Sequence, residues 1–114
     1  MALTTLSLGA ALTSATSRAG VAPEDSNASF LRGGNVLMVI QPTNGAFVGT
    51  AKIQGSNSLD SVADGSAVWD DVVTFVAPAA NSGSKVALVA NSYRRLRLTV
   101  SVFTSGSVEG LIVA

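Results

Sequence analysis

The chain contains no cysteine and no histidine. Without cysteine no disulfide can form, which excludes a small secreted domain that depends on cross-links for stability. Without either residue there is no Cys/His zinc site, no haem axial histidine and no Cys–His or Ser–His–Asp nucleophile arrangement. Charged residues fill only 12% of the 114 positions, about half the share usual in a soluble domain. The seven basic and seven acidic side chains cancel, which argues against a protein that holds nucleic acid through its phosphates. Aromatic residues are 5% of the chain, too few for interleaved base-stacking platforms. No apolar run approaches the roughly 18 residues of a membrane-spanning helix, so no membrane partner is expected. The serines have no histidine to serve as base. The expectation is a protein that is not an enzyme and carries no cofactor or metal.

What remains is a chain that is 47% hydrophobic, too apolar for whole-chain disorder and sized for one domain. A neutral, weakly charged chain is prone to associate. Small domains also bury only a modest share of their surface. Part of the apolar content is therefore expected to be covered between chains, in a homo-oligomer or a larger assembly.

Residues 1–28 are expected to form an extended N-terminal arm and loop. The apolar stretch 6–12 lacks the basic segment that opens a secretory signal, the first positive charge being Arg18. Thr4, Thr5, Ser7, Thr13, Ser14, Thr16 and Ser17 compete for backbone hydrogen bonds and disfavour a helix. The sequence Leu3-Thr4-Thr5-Leu6-Ser7-Leu8 suits a short strand or an arm lying on a neighbour, and 19–29 is rich in turn formers.

Residues 29–114 are expected to form a single all-β domain. The run 35–41 (NVLMVIQ) is almost continuously apolar, bounded by Gly33-Gly34 and Pro42, and reads as a strand buried on both faces. In 46–54, Phe47, Gly49, Ala51 and Ile53 alternate with Val48, Thr50, Lys52 and Gln54. Further strands are expected at 69–76, 85–90, 94–103 and 107–113, with short ones at 3–8 and 29–32. Thr104-Ser105-Gly106 is expected to close a hairpin between the last two. Turns recur every 8–12 residues or so, and no 3.6-residue periodicity is sustained beyond residue 15. The fold predicted is a small antiparallel β-sandwich, jelly-roll-like in connectivity, with an extended N-terminal arm.

Candidate sites are few. Asp60, Asp64, Asp70 and Asp71 are four of the seven acids, but they lack the spacing of a calcium loop and fit turn and capping roles. Asp70 and Asp71, adjacent on a strand, point to opposite faces and make no catalytic pair. Gly45-Ala46-Phe47-Val48-Gly49-Thr50 leads into a strand, not a helix, so it is no phosphate loop. Arg94, Arg95 and Arg97 form the one basic cluster. On a strand, Tyr93, Arg95, Arg97, Thr99 and Ser101 share a polar face, and Arg94, Leu96, Leu98, Val100 and Val102 share the other. Arginine is enriched at interfaces, so Arg95, Arg97 and Thr99, with Leu3, Leu6 and Leu8 of the arm, are the candidate protein contacts. Trp69 and Tyr93 are the candidate sugar-stacking pair.

The C-terminal part of the chain, about residues 45–114, resembles small structural proteins of tailed-phage virions. The likeness rests on the strand opening with Trp69-Asp70-Asp71, the arginine-bearing strand Tyr93-Arg94-Arg95-Leu96-Arg97-Leu98-Thr99-Val100-Ser101, the Thr104-Ser105-Gly106 turn and the final apolar strand. Capsid decoration (cement) proteins are the members it is most similar to. The resemblance implies a homo-oligomer, often a trimer, docked on major capsid protein at the outer surface of the virion. The alternative it implies is a receptor- or carbohydrate-binding module of a tail fibre or spike.

Overall fold

The computed structural model describes residues 4–23, 30, 34–43, 46–77 and 83–114. They form seven strands: β1 (Thr5–Ser7), β2 (Asn35–Pro42), β3 (Val48–Ser56), β4 (Asp70–Ala77), β5 (Lys85–Ala90), β6 (Arg95–Ser105) and β7 (Val108–Val113). A four-stranded sheet runs β1-β7-β2-β5 and a three-stranded sheet runs β4-β3-β6, every pair antiparallel. The two sheets enclose one apolar core in a β-sandwich. The expected short strand at 29–32 lies outside the described residues except for Phe30, which is buried in that core. Leu3 also lies outside the described residues.

Residues 4–21 lie along the edges of the chain's own sandwich and are hydrogen-bonded to it. Thr4 exchanges two hydrogen bonds with Ala114, the Leu8 amide donates to the Gly110 carbonyl, and Leu12 pairs with Val108. The chain then turns and follows β6. The Val100 amide donates to the Thr16 carbonyl, the Arg18 amide donates to the Leu98 carbonyl, and Val21 and Leu96 exchange two bonds. Arg18 fixes the bend, donating through Nε and Nη2 to the carbonyls of Ala10 and Ala11 at 2.7 and 2.9 Å. The reason is backbone accounting. Edge strands β7 and β6 present unpaired N–H and C=O groups, and a segment of alternating Leu and Ser/Thr satisfies them while delivering Leu8 and Leu12 to the core.

Counting 16–21 as a ladder segment outside β6, the sheets take segments in the order first-eighth-third-sixth and second-seventh-fourth-fifth along the chain. That is the strand order of a jelly roll, two interlocked Greek keys. It also corrects the expected hairpin at 104–106. β6 pairs with β3 and β7 with β2, so Ser105-Gly106-Ser107 carries the chain from one sheet to the other. Only β3 and β4 are neighbours both in sequence and in a sheet.

The alternation in β3 and β6 places the core as their patterns predict. Ala51, Ile53, Leu96, Leu98 and Val100 are buried against Met38, Ile40 and Ile112 of the opposite sheet. Past Val100 the pattern breaks. The ladder passes from Ala51↔Val100 to Thr50↔Val102, leaving Ser101 as a bulge. One extra residue reverses every later side chain. Val102, expected on the apolar face, is 55% exposed, and Phe103 turns in beside Phe47, ring centroids 6.3 Å apart. Gly49, at φ +150°, sits opposite this irregularity, where a Cβ would lie 2.2 Å from the Val102 carbonyl oxygen.

Candidate functional site

The outer face of the three-stranded sheet holds the polar residues singled out in the sequence, and it binds them to one another. Arg97 Nε donates to Gln54 Oε1 at 2.9 Å, and Gln54 Nε2 donates to Asp71 Oδ1 at 2.9 Å. Lys52 Nζ donates to Asp71 Oδ2 at 2.9 Å, also an ion pair. These are cross-strand neighbours by register, Gln54 lying between Arg97 and Asp71. The Gln54 amide and then the Lys52 ammonium stabilise the ionised Asp71 and hold its pKa below the usual aspartate value. Thr99 shares a 2.6 Å hydrogen bond with Ser17 of the N-terminal segment.

Above this row, the 57–69 connection folds back over the sheet. Asp64 Oδ1 accepts from Arg95 Nη1 at 2.7 Å, and its Oδ2 accepts from the Gly20 amide at 2.7 Å. Arg95 Nη1 also donates to the Val62 carbonyl at 2.9 Å. The indole of Trp69 donates to the Asp64 carbonyl at 2.9 Å and its ring lies 4.1 Å below the Arg97 guanidinium. Burial lowers the Arg97 pKa, partly offset by the Asp64 charge; the group stays cationic. Asp64 therefore acts as a clasp joining the 57–69 connection, the N-terminal segment and β6. Both of its oxygens are committed. Among the described residues no group of three or more His, Cys, Asp or Glu side chains could hold a metal ion.

Trp69 and Tyr93 do not make a joint stacking platform. Trp69 packs on Arg97, on the outer face of the sheet. β6 begins at Arg95, so Tyr93 lies ahead of the alternation and departs from the Arg95–Arg97 face expected for it. Its ring covers Gly55 on the inner face, where a Cβ would meet the ring at 2.3 Å. Removal from water, and then the neighbouring Asp70 charge, raise the Tyr93 pKa. The two aromatic rings thus stand on opposite sides of one sheet. The arm residues are corrected as well. Leu8 is fully buried over Gly110 against Leu98, and Leu6 packs half-buried against the core. Leu8 therefore has no surface to offer a partner in this chain, and Leu3 is outside the described residues.

The surface that the sequence did not single out is the outer face of the four-stranded sheet. Register places Val113, Leu37 and Leu88 in one cross-strand rung and Leu111, Val39 and Val86 in the next. Thr5 and Ser7 of β1 end these rungs. Leu37, Val86 and Leu88 are 36%, 51% and 66% exposed; the other three are half-buried. Six aliphatic side chains form a continuous patch with no charge among them. The signal was the run at 35–41. It was expected to be buried on both faces, but a two-layer sandwich covers only one face of each sheet. Val36, Met38 and Ile40 face the core, and Leu37 and Val39 face outwards.

No known family model matches the chain, and no curated protein or solved structure matches it either.

Proposed function

We propose that this chain is a structural protein of a virion that acts by association, a capsid decoration (cement) protein bound to major capsid protein on the outer surface of a phage head. The observation that carries the reading is the bare aliphatic face of the four-stranded sheet. An exposed apolar patch of this kind marks an interaction surface, while the polar groups of the opposite face are spent on one another and on the N-terminal segment. The jelly-roll order adds weight, being an architecture used repeatedly for viral shell components. The mechanism is mass action. Each copy seated across a junction between capsid subunits adds binding free energy to the assembled shell and none to separated subunits. Many copies together then oppose expansion and rupture.

The test is reconstitution with decoration-free shells of the virus that encodes the chain. Purified protein is expected to cosediment with them and to raise the temperature at which they break open. Failure to cosediment at tens of micromolar sinks the proposal.

A further inference from the structure

We infer that residues 13–22 and the 57–69 connection form a double strap latched by Asp64, which opens as one unit while the rest of the sandwich stays folded. The inference concerns the outer face of the three-stranded sheet and is independent of the reading of the aliphatic face.

Three observations carry it. The first is where the buried side chains stop. Leu12 and Pro23 are buried, and none of residues 13–22 between them is. Val21 alone in that stretch packs against the core, half-buried. Ser56, which ends β3, is buried, and none of residues 57–69 is. Each segment is thus held where it leaves and rejoins the sandwich, and lies almost wholly outside the core in between. Segments with few buried contacts and exposed hydrogen bonds open at the lowest free energies in a domain. The stretch just before them differs, because it delivers Leu8 and Leu12 to the core.

The second is the tie between the two segments. The Gly20 amide and Arg95 Nη1 each donate to an oxygen of the same carboxylate, Asp64, both at 2.7 Å. A Cβ on Gly20 would lie 3.0 Å from Asp64 Oδ1 and 3.1 Å from Trp69 Cη2, so the segments are also in close contact at that glycine. Lifting residues 13–22 takes the Gly20 donor from Asp64. Lifting the connection takes the carboxylate from Gly20 and from Arg95 together. Each move removes a charge-assisted hydrogen bond from the other segment, and a coupling of this kind is reciprocal.

The third is an unmet donor in the closed form. The Arg95 side chain is 11% exposed, and its Nε is buried with no hydrogen-bond partner among the described residues. A buried donor left unsatisfied weakens the arrangement that holds it. Opening returns that group to water, which favours the open form.

The latch governs what β6 presents. The connection covers Arg95 through Val62 and Asp64, and Ser17 of the other segment covers Thr99. Opening as one unit bares both side chains, together with the Leu96 and Val100 amides on the β6 edge. Arg95 and Thr99, both singled out in the sequence as candidate contacts, are therefore offered or withheld as a pair.

The test is native-state hydrogen exchange of the full chain, read at single amides by NMR. The reporters are Arg18 and Val21 in one segment and Val62, Ser66 and Ala67 in the other, whose amides all donate to backbone carbonyls. Asp64→Asn keeps the shape of the side chain and removes its charge. It should speed exchange in both groups about tenfold, the order of a lost hydrogen bond to a charged group. Gly20→Ala leaves Asp64 in place and crowds it from the other segment. It should speed exchange severalfold at Val62, Ser66 and Ala67 as well as at Arg18 and Val21. The amides of Leu8 and Leu12, and those of β2, should keep their wild-type protection in both variants, which also shows that each is folded. The inference is overturned if Asp64→Asn speeds one group alone, or if the effect of Gly20→Ala stays within its own segment. It is equally overturned if Arg18 and Val21 open with Leu8 and Leu12. Their segment would then be tied to the preceding stretch, through the Arg18 bonds to Ala10 and Ala11, and not to the connection. Protection lost across β2 as well would place both segments in the global unfolding unit and would also overturn it.

Discussion

Replacing Leu8 by alanine asks whether the N-terminal segment belongs to the domain. Leu8 has no exposed surface. It sits over Gly110, where the missing side chain makes room, and its Cδ1 and that of Leu98 both lie 3.3 Å from the point a Gly110 Cβ would occupy. The substitution removes three carbon groups. At about 0.8 kcal/mol each the transfer loss is roughly 2.4 kcal/mol, and an unrelaxed cavity brings the total to about 3–4 kcal/mol. For a domain of this size that lowers the melting temperature by roughly 10–20 °C. The assay is chemical and thermal denaturation followed by circular dichroism and by the single tryptophan. Thr5→Ala, on the exposed side of the same strand, is the control and should change stability by less than about 0.5 kcal/mol. A loss below about 1 kcal/mol for Leu8→Ala would refute the reasoning. It would mean that residues 4–12 are not docked on β7 in solution, and that the segment is free to lie on a neighbour.

Gly55→Ala should cost about 1–3 kcal/mol by overpacking, because the new Cβ meets the Tyr93 ring at 2.3 Å. Displacing that ring into water should also lower its phenol pKa towards the ordinary value. Ultraviolet titration reads this cleanly, since Tyr93 is the single tyrosine. Gly65→Ala, with no atom within 4 Å of the new Cβ, should leave both properties unchanged. Asp71 makes the stability of the three-stranded sheet pH-dependent. Its folded pKa lies below the unfolded value, so its contribution is complete above the usual carboxylate range, about pH 4, and is lost as pH falls through the folded value. Denaturation midpoints should therefore drop on acidification below about pH 4. Asp71→Asn should make that drop shallower.

Much of this protein follows from local pattern. The run at 35–41, the alternation at 46–54, and the strands at 69–76, 85–90, 94–103 and 107–113 all fall within two residues or so of strands in the structure. Residue-to-residue alternation is a property of the strand itself, so Ile53, Leu96 and Leu98 announce the core before any partner is known. The bulge at Ser101 was not legible, because it is defined by the register with β3. Nor was the sheet that each strand joins. The turn at 104–106 has hairpin chemistry, and only the pairings of β6 with β3 and β7 with β2 make it a corner.

The candidate sites divide in the same way. That Arg95, Arg97 and Thr99 share a polar face is written in the alternation of their strand. That this face is occupied by Gln54, Asp71, Trp69, Asp64 and Ser17 depends on segments brought from four other places in the chain. By itself the sequence determined composition, strand content and the inward face of β3 and of β6 as far as Val100, because these rest on contacts between near neighbours and on the two-residue period of an extended backbone. The tertiary structure alone decided that the N-terminal segment seals two sheet edges, and that Trp69 and Tyr93 stand on opposite faces. It also left the aliphatic face of β2, β5 and β7 uncovered. Each of these depends on pairings between residues far apart in sequence, and no local signal encodes them.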